Sequence, residues 1–275
     1  MKKISSYAMQ SFKALRANTV EEVYPEIIER VHEGEKLYYV GVKNTHVIPA
    51  NYLKKLEDHG FYIHTRDVMA EGGRAIDFNH LNPITGRYMT GSSSGTAINV
   101  FTGINDIGIG TDGGGSVLAP ACALNLYGFI SPLICHDELK QYQKKSTDGI
   151  TFEPSIGFMS KDIEGLFDII EASIELKSQL THEILLTRPQ QVNQTQAYEF
   201  IKEIFSDAQS FELDYDSLSR EKMMKELSGV DFERHILISF EGPTDLESYG
   251  DSVMGHYSQS TQLSQARAHK YYLKV

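Results

Sequence analysis

Two short stretches decide the fold: Thr90-Gly91-Ser92-Ser93-Ser94-Gly95-Thr96 and Gly108-Ile109-Gly110-Thr111-Asp112-Gly113-Gly114-Gly115-Ser116. Between them lies the apolar run Ala97-Ile98-Asn99-Val100-Phe101, which reads as a short buried helix. Taken alone, the first stretch is also what a flexible Gly/Ser linker looks like. The second has the glycine content of a phosphate cradle but no Gly-Lys-Ser/Thr ending and no lysine, which argues against a P-loop. Three glycines ahead of a serine instead suit a turn whose backbone N–H groups point inward. Such groups can hold the oxyanion formed when an acyl carbonyl is attacked.

Outward from these loops, helical and strand patterns alternate, which favours an α/β layered fold. Leu37–Val42 reads as a buried strand, residues 52–59 as a helix stopped by Gly60, and Phe61–His64 as the next strand. Thr19 and Glu22 stand at capping-box spacing, with Val20, Val23, Ile27 and Val31 on one helical face, so a helix is expected there. Ile163, Leu166, Phe167, Ile170 and Ile174 predict an amphipathic helix over 162–176. Strands at 183–187 and 235–240 with a helix over 195–205 complete the pattern. No repeat or long linker is evident, so one domain over 1–275 is expected, with an N-terminal helical segment (1–35) and a core over about 37–175.

Composition sets outer bounds. Apolar residues make up 41% and charged residues 23%, ordinary for a soluble globular chain. No run of eighteen apolar residues suggests a membrane span, and the N-terminus lacks the apolar stretch of a secretory signal, so the cytoplasm is the expected location. A net charge of −11 argues against direct binding of nucleic acid, because nothing would neutralise a row of phosphates. Cys122 and Cys135 read as free thiols, and Cys135-His136-Asp137 are adjacent residues that would not converge on one centre. The histidines show no ligand spacing, so neither a metal nor a cofactor is expected.

Ser92 and Ser116 are 24 positions apart, and with Gly-Thr-Asp-x-Gly-Gly-Ser in the second stretch the chain resembles the amidase signature family. That resemblance implies a mixed central β-sheet covered by helices on both faces. It implies catalysis by Ser116 as nucleophile, Ser92 as a bridging serine that follows a cis peptide bond, and a lysine just after a strand. Lys43, at the end of Gly41-Val42-Lys43-Asn44, fits the last position. It further implies an oxyanion hole at Gly113, Gly114 and Gly115, a small-molecule amide as substrate, and a likeness to the A subunit of the tRNA-dependent glutamyl amidotransferase.

The chemistry behind the roles is general. A serine hydroxyl needs a base to take its proton. A lysine at its ordinary pKa is only about 0.1% neutral near pH 7.4, a handicap of roughly 4 kcal/mol. Burial lowers that pKa by disfavouring the ammonium, whereas most lysines are simply solvated at the surface. Asp112 reads as a brace for the glycine turn rather than a catalytic group.

The chain also departs from the family pattern. Thr90 and Ser94 replace glycines, Val117-Leu118 stands where Ile-Arg is usual, and only 49 positions separate Lys43 from Ser92. The sequence ends at Val275, short of the usual family end, so a truncated fold is expected that needs a second subunit or another copy of itself. Three readings follow: an amide hydrolase, a silent amidase-like subunit serving as a binding or scaffold partner, and an unrelated α/β binding protein.

Overall fold

The computed structural model describes residues 2–24, 36–73, 76–145, 151–175, 182–188, 195–213 and 220–240. It divides into two compact units, one within Met1–Glu175 and one within Leu176–Thr244.

The first unit opens with α1 (Lys2–Ala14) and β1 (Val20–Val23), followed by β2 (Tyr38–Lys43), α2 (Ala50–Glu57) and β3 (Phe61–Asp67). The hairpin β4 (Ile76–Leu81) and β5 (Tyr88–Thr90) leads into α3 (Ser94–Phe101) and β6 (Ile107–Asp112). Next come α4 (Leu118–Ala123), β7 (Tyr127–Ser131), the single turn α5 (His136–Leu139) and a short hairpin of β8 (Lys144–Lys145) and β9 (Thr151–Phe152). β10 (Ser155–Ser160) and α6 (Ile163–Ser173) close the unit. In the second unit, β11 (Glu183–Thr187), α7 (Thr195–Ile204), β12 (Gln209–Phe211), α8 (Arg220–Leu227) and β13 (His235–Ile238) form a small α/β layer. Its three strands are parallel, with β11 in the middle.

The central sheet of the first unit is mixed, in the order β1-β3-β2-β6-β10-β7. The inner strands β3, β2 and β6 run parallel, while β1 and the β10–β7 pair are antiparallel to their neighbours. Side chains alternate across a strand, so each inner strand feeds two cores. Val40 and Val42 of β2, with Ile107 and Ile109 of β6 and Phe158 of β10, pack under α2 and α6 through Tyr52, Leu56, Leu166 and Ile169. On the opposite face, Ala97, Val100, Val117, Ala121 and Met159 join α3 and α4 to the sheet. Helices thus cover both faces, as the alternating pattern leads one to expect. Lys43 and Gly41 share the α3 face with Tyr39, because Val40 and Val42 occupy the other one.

Two expectations are corrected. Residues 20–23 form a strand, not a helix: Val20–Val23 pairs with β3, and Glu22 faces Arg66 across the ladder with an ion pair of 3.1 Å. The Thr19 hydroxyl, read as a helix cap, donates instead to Asn99 Oδ1 of α3. Ile27 and Val31 lie outside the described residues. In α6, Leu166, Ile169 and Ile170 are buried while Ile163 and Phe167 point outward, so the buried stripe is rotated from the one the spacing predicts. That helix starts at Asp162, whose carboxylate accepts from the amides of Glu164 and Gly165.

Candidate active site

Strand ends bring the decisive residues together. Lys43 is the last residue of β2 and Thr111 the penultimate residue of β6, in adjacent parallel strands. Ligand sites of open α/β sheets lie beyond such carboxyl ends. Lys43 is 4% exposed, and its Nζ donates to Ser92 Oγ at 2.7 Å and to Thr111 Oγ1 at 3.1 Å. A third, longer contact of 3.4 Å reaches the Thr111 carbonyl. Burial pulls the lysine down from 10.5 to about 8; Asp112 opposes that fall and the nearby Lys144 charge adds to it.

Ser92 lies in the turn between β5 and α3 and is itself buried. Its carbonyl accepts from the Ala70 amide, which fixes the turn against the segment after β3. Gly110 of β6 lets that turn sit on the sheet: a side chain there would strike Ser93 Oγ at 2.6 Å.

Ser116 stands at the end of the glycine turn after β6, half-buried, ahead of α4. Asp112 organises the turn. One carboxylate oxygen accepts from the amides of Gly114 (2.9 Å) and Gly115 (2.7 Å), the other from Val117 (2.6 Å) and Leu118 (3.2 Å). Gly115 has φ +99°, a backbone conformation that a side chain would strain. Gly113 is covered by the Phe152 ring of β9, which would lie 2.3 Å from any Cβ placed there.

The two serine turns are joined by backbone: the Ser93 amide donates to the Ser116 carbonyl at 3.2 Å. Among the described residues, no hydrogen bond links the Ser92 and Ser116 hydroxyls. The cis peptide implied before Ser92 is also not found, since all peptide bonds of the described residues are trans. Trans is the form a non-proline bond prefers by roughly 3 kcal/mol.

Sequence reading passed over a second polar cluster at this site. Asp77 of β4 is buried; its Oδ2 accepts from Ser94 Oγ and pairs with His80 Nδ1 at 2.7 Å. The Asp77 hydrogen bond raises the His80 pKa. This pair braces the first turn of α3, and its residues carry no local pattern that would reveal it. Cys135, His136 and Asp137 do not converge: His136 faces Glu153 and Asp137 faces Lys140, while burial pushes the Cys135 thiol up to about 11. A cavity of about 360 Å³ lies among Tyr7, Gln10, Tyr38 and Asp106, and neither Lys43, Ser92 nor Ser116 lines it.

The structure is thus a mixed α/β sheet with a buried lysine–serine pair at its strand ends and a glycine-turn serine on the turn next to it. The family model described as Amidase matches residues 48–202, and the chain belongs to that family. Both serines lie inside the matched region, and Lys43 lies just before it. No curated protein matches the sequence.

Among solved structures, the chain is similar to an amidase family protein from Bacillus anthracis str. Ames, at 18% identity and a TM-score of 0.50. That match covers 75% of this chain and 54% of the other. It is similar to a fatty acid amide hydrolase at 16% identity and TM-score 0.51, covering 82% of this chain and 52% of that one. A third likeness is to a protein from a vestigial complex bearing on the origins of an s-triazine catabolic enzyme. There identity is 15% and TM-score 0.54, over 97% of this chain and 73% of the other. At these identities the likeness is one of fold, and the chain spans about half the length of the first two.

Proposed function

We propose that this chain is an amide-bond hydrolase, acting on carbon–nitrogen bonds other than peptide bonds in a small-molecule substrate. The observation that carries the reading is the 2.7 Å hydrogen bond from buried Lys43 Nζ to Ser92 Oγ. With its pKa near 8, about one fifth of Lys43 is neutral at pH 7.4, which removes about 3 kcal/mol of the handicap of an ordinary lysine. Neutral Lys43 takes the Ser92 proton as Ser92 takes that of Ser116, and the Ser116 oxygen attacks the amide carbonyl. The protonated relay then returns a proton to the leaving amine. Water, activated through the same relay, cleaves the Ser116 ester and releases the acid.

The oxyanion is assigned to the glycine turn. Gly114 and Gly115 already donate to Asp112, so their part is to shape the turn, while the amides of Gly113 and Ser116 serve as the main donors. Attack requires the Ser116 hydroxyl to rotate toward Ser92. The absence of that hydrogen bond favours a second reading, a silent amidase-like subunit that binds without turnover. Turnover of a panel of chromogenic anilides separates the two. The hydrolase reading expects Ser116→Ala to abolish the rate and Lys43→Ala to lower kcat by about 10³ or more. Unchanged turnover by Ser116→Ala would refute it.

Association with a second subunit or another copy belongs to the same proposal. Its support is the exposed apolar stripe of Ile4, Met9 and Phe12 on α1 with Leu15 in the turn just after it, exposed by 43–69%.

A further inference from the structure

Asp67, the last residue of β3, is fully buried, and no cation pairs with its side chain among the described residues. Its Oδ1 accepts from Thr65 Oγ1 and from Asn99 Nδ2 of α3, both at 2.6 Å. Oδ2 has no partner of hydrogen-bond geometry, and neither has the buried Thr96 hydroxyl of α3. Thr96 is nonetheless close enough to act on the carboxyl as a hydrogen-bonding group. Gly41 leaves room for this carboxyl, since a side chain at Gly41 would meet Oδ2. One hydrogen bond between these two oxygens satisfies both: the Thr96 hydroxyl can donate to an ionised Oδ2, or a protonated Oδ2 can donate to Thr96. With no cation beside the carboxyl among the described residues, its burial favours the neutral acid.

The segment that Asp67 begins touches both halves of the site. The Asp67 carbonyl accepts from the Asn44 amide at 2.8 Å, fixing the chain directly after Lys43. Three residues on, the Ala70 amide holds the Ser92 carbonyl at 3.1 Å. Between these points the Val68 carbonyl lies so close to Gly95 of α3 that no side chain fits there.

We infer that Asp67 is a positioning residue whose carboxylic acid proton bridges to Thr96 and holds α3 on β3, setting Ser92 against Lys43. The activity side of this inference rests on the hydrolase reading; the structural side does not. Desolvation raises the Asp67 pKa from 3.8 to about 7, with Thr65, Asn99 and Thr96 working against the rise. The charged or titratable groups around it are few. Lys43 is its register partner on β2, and His64 is reached through Asn105 and is held below its ordinary value by burial. Arg66 of β3 is paired with Glu21 and Glu22 of the β1 edge, and α3 carries no charged residue.

The sign follows from that rise. A carboxyl raised in the fold contributes stability that is full below its unfolded value and is lost as pH rises through the folded one. Asn at this position keeps both acceptor contacts and donates permanently to Thr96. In urea unfolding from pH 4 to pH 9, the Asp67→Asn midpoint should match the wild type near pH 4 and stay above it from about pH 7 upward. The ratio of kcat/KM, Asp67→Asn over wild type, should climb from near one at pH 6 to about five or more at pH 9. Asp67→Ala should be at least about tenfold slower at every pH. Parallel unfolding midpoints, or a ratio that does not change with pH, would overturn the inference. Should no variant or wild type turn over any amide, the unfolding curves decide the Asp67 proton alone, and the hydrolase reading fails separately.

Discussion

At the scale of single residues, Lys43 is the pivot, and its environment sets its protonation. Buried at a strand end and hydrogen-bonded to two hydroxyls, it pays for desolvation by losing affinity for its proton. On the proposed role of neutral Lys43 as base, activity rises with pH. Between pH 5 and pH 10, log kcat/KM should climb with a slope of about one and bend near pH 8, most cleanly in Asp67→Asn, where no second titration overlaps. A rate that peaks near pH 5 and declines above it would point to a carboxyl group instead. Lys43, Ser92 and Ser116 were picked out by their likeness to the amidase signature pattern; the fold brings Lys43 onto Ser92, and the Ser93 amide ties the Ser116 turn to that of Ser92. Asp67 was not picked out: its role arises from contacts with Thr96 and Asn99, roughly thirty residues away, and nothing in His64-Thr65-Arg66-Asp67 marks a buried acid.

At the scale of elements, the readable ones were those with a pattern of their own. β2 announced itself as an apolar run, α2 by its stop at Gly60, which takes φ +86°, and α3 by an apolar run between two glycine-rich turns. β1 was misread because Thr19, Glu22 and the spaced valines satisfy a helix template as well as a strand, and pairing with β3 decides between them. β10 had no such pattern: paired on both sides and buried on both faces, Ser155–Ser160 shows no alternation to mark it as a strand. α6 itself depends on its N-terminal cap. Asp162→Ala removes the acceptor for two amides and should cost about 1 kcal/mol, measured as a lower urea midpoint with an unchanged slope. No change in midpoint would mean that the buried face of α6 fixes the helix without its cap.

At the scale of the whole molecule, the six-stranded sheet places Lys43 and the two serine turns on its α3 and α4 side. The opposite face is the apolar core under α2 and α6. The exposed stripe along α1 and the turn after it predicts association: light scattering should find more than one chain per particle, and Phe12→Glu with Leu15→Glu should reduce it to monomer. A monomer before the substitutions would remove that part of the proposal. The central claim, that Ser116 is a nucleophile activated through Ser92 by Lys43, is tested most directly by covalent capture. The chain is incubated with a fluorophosphonate and the modified peptide is identified by mass spectrometry. A single adduct on Ser116, absent in Ser116→Ala and formed at least about a hundredfold more slowly in Lys43→Ala, is the predicted result. An adduct on another residue, or none on a folded protein, would contradict it.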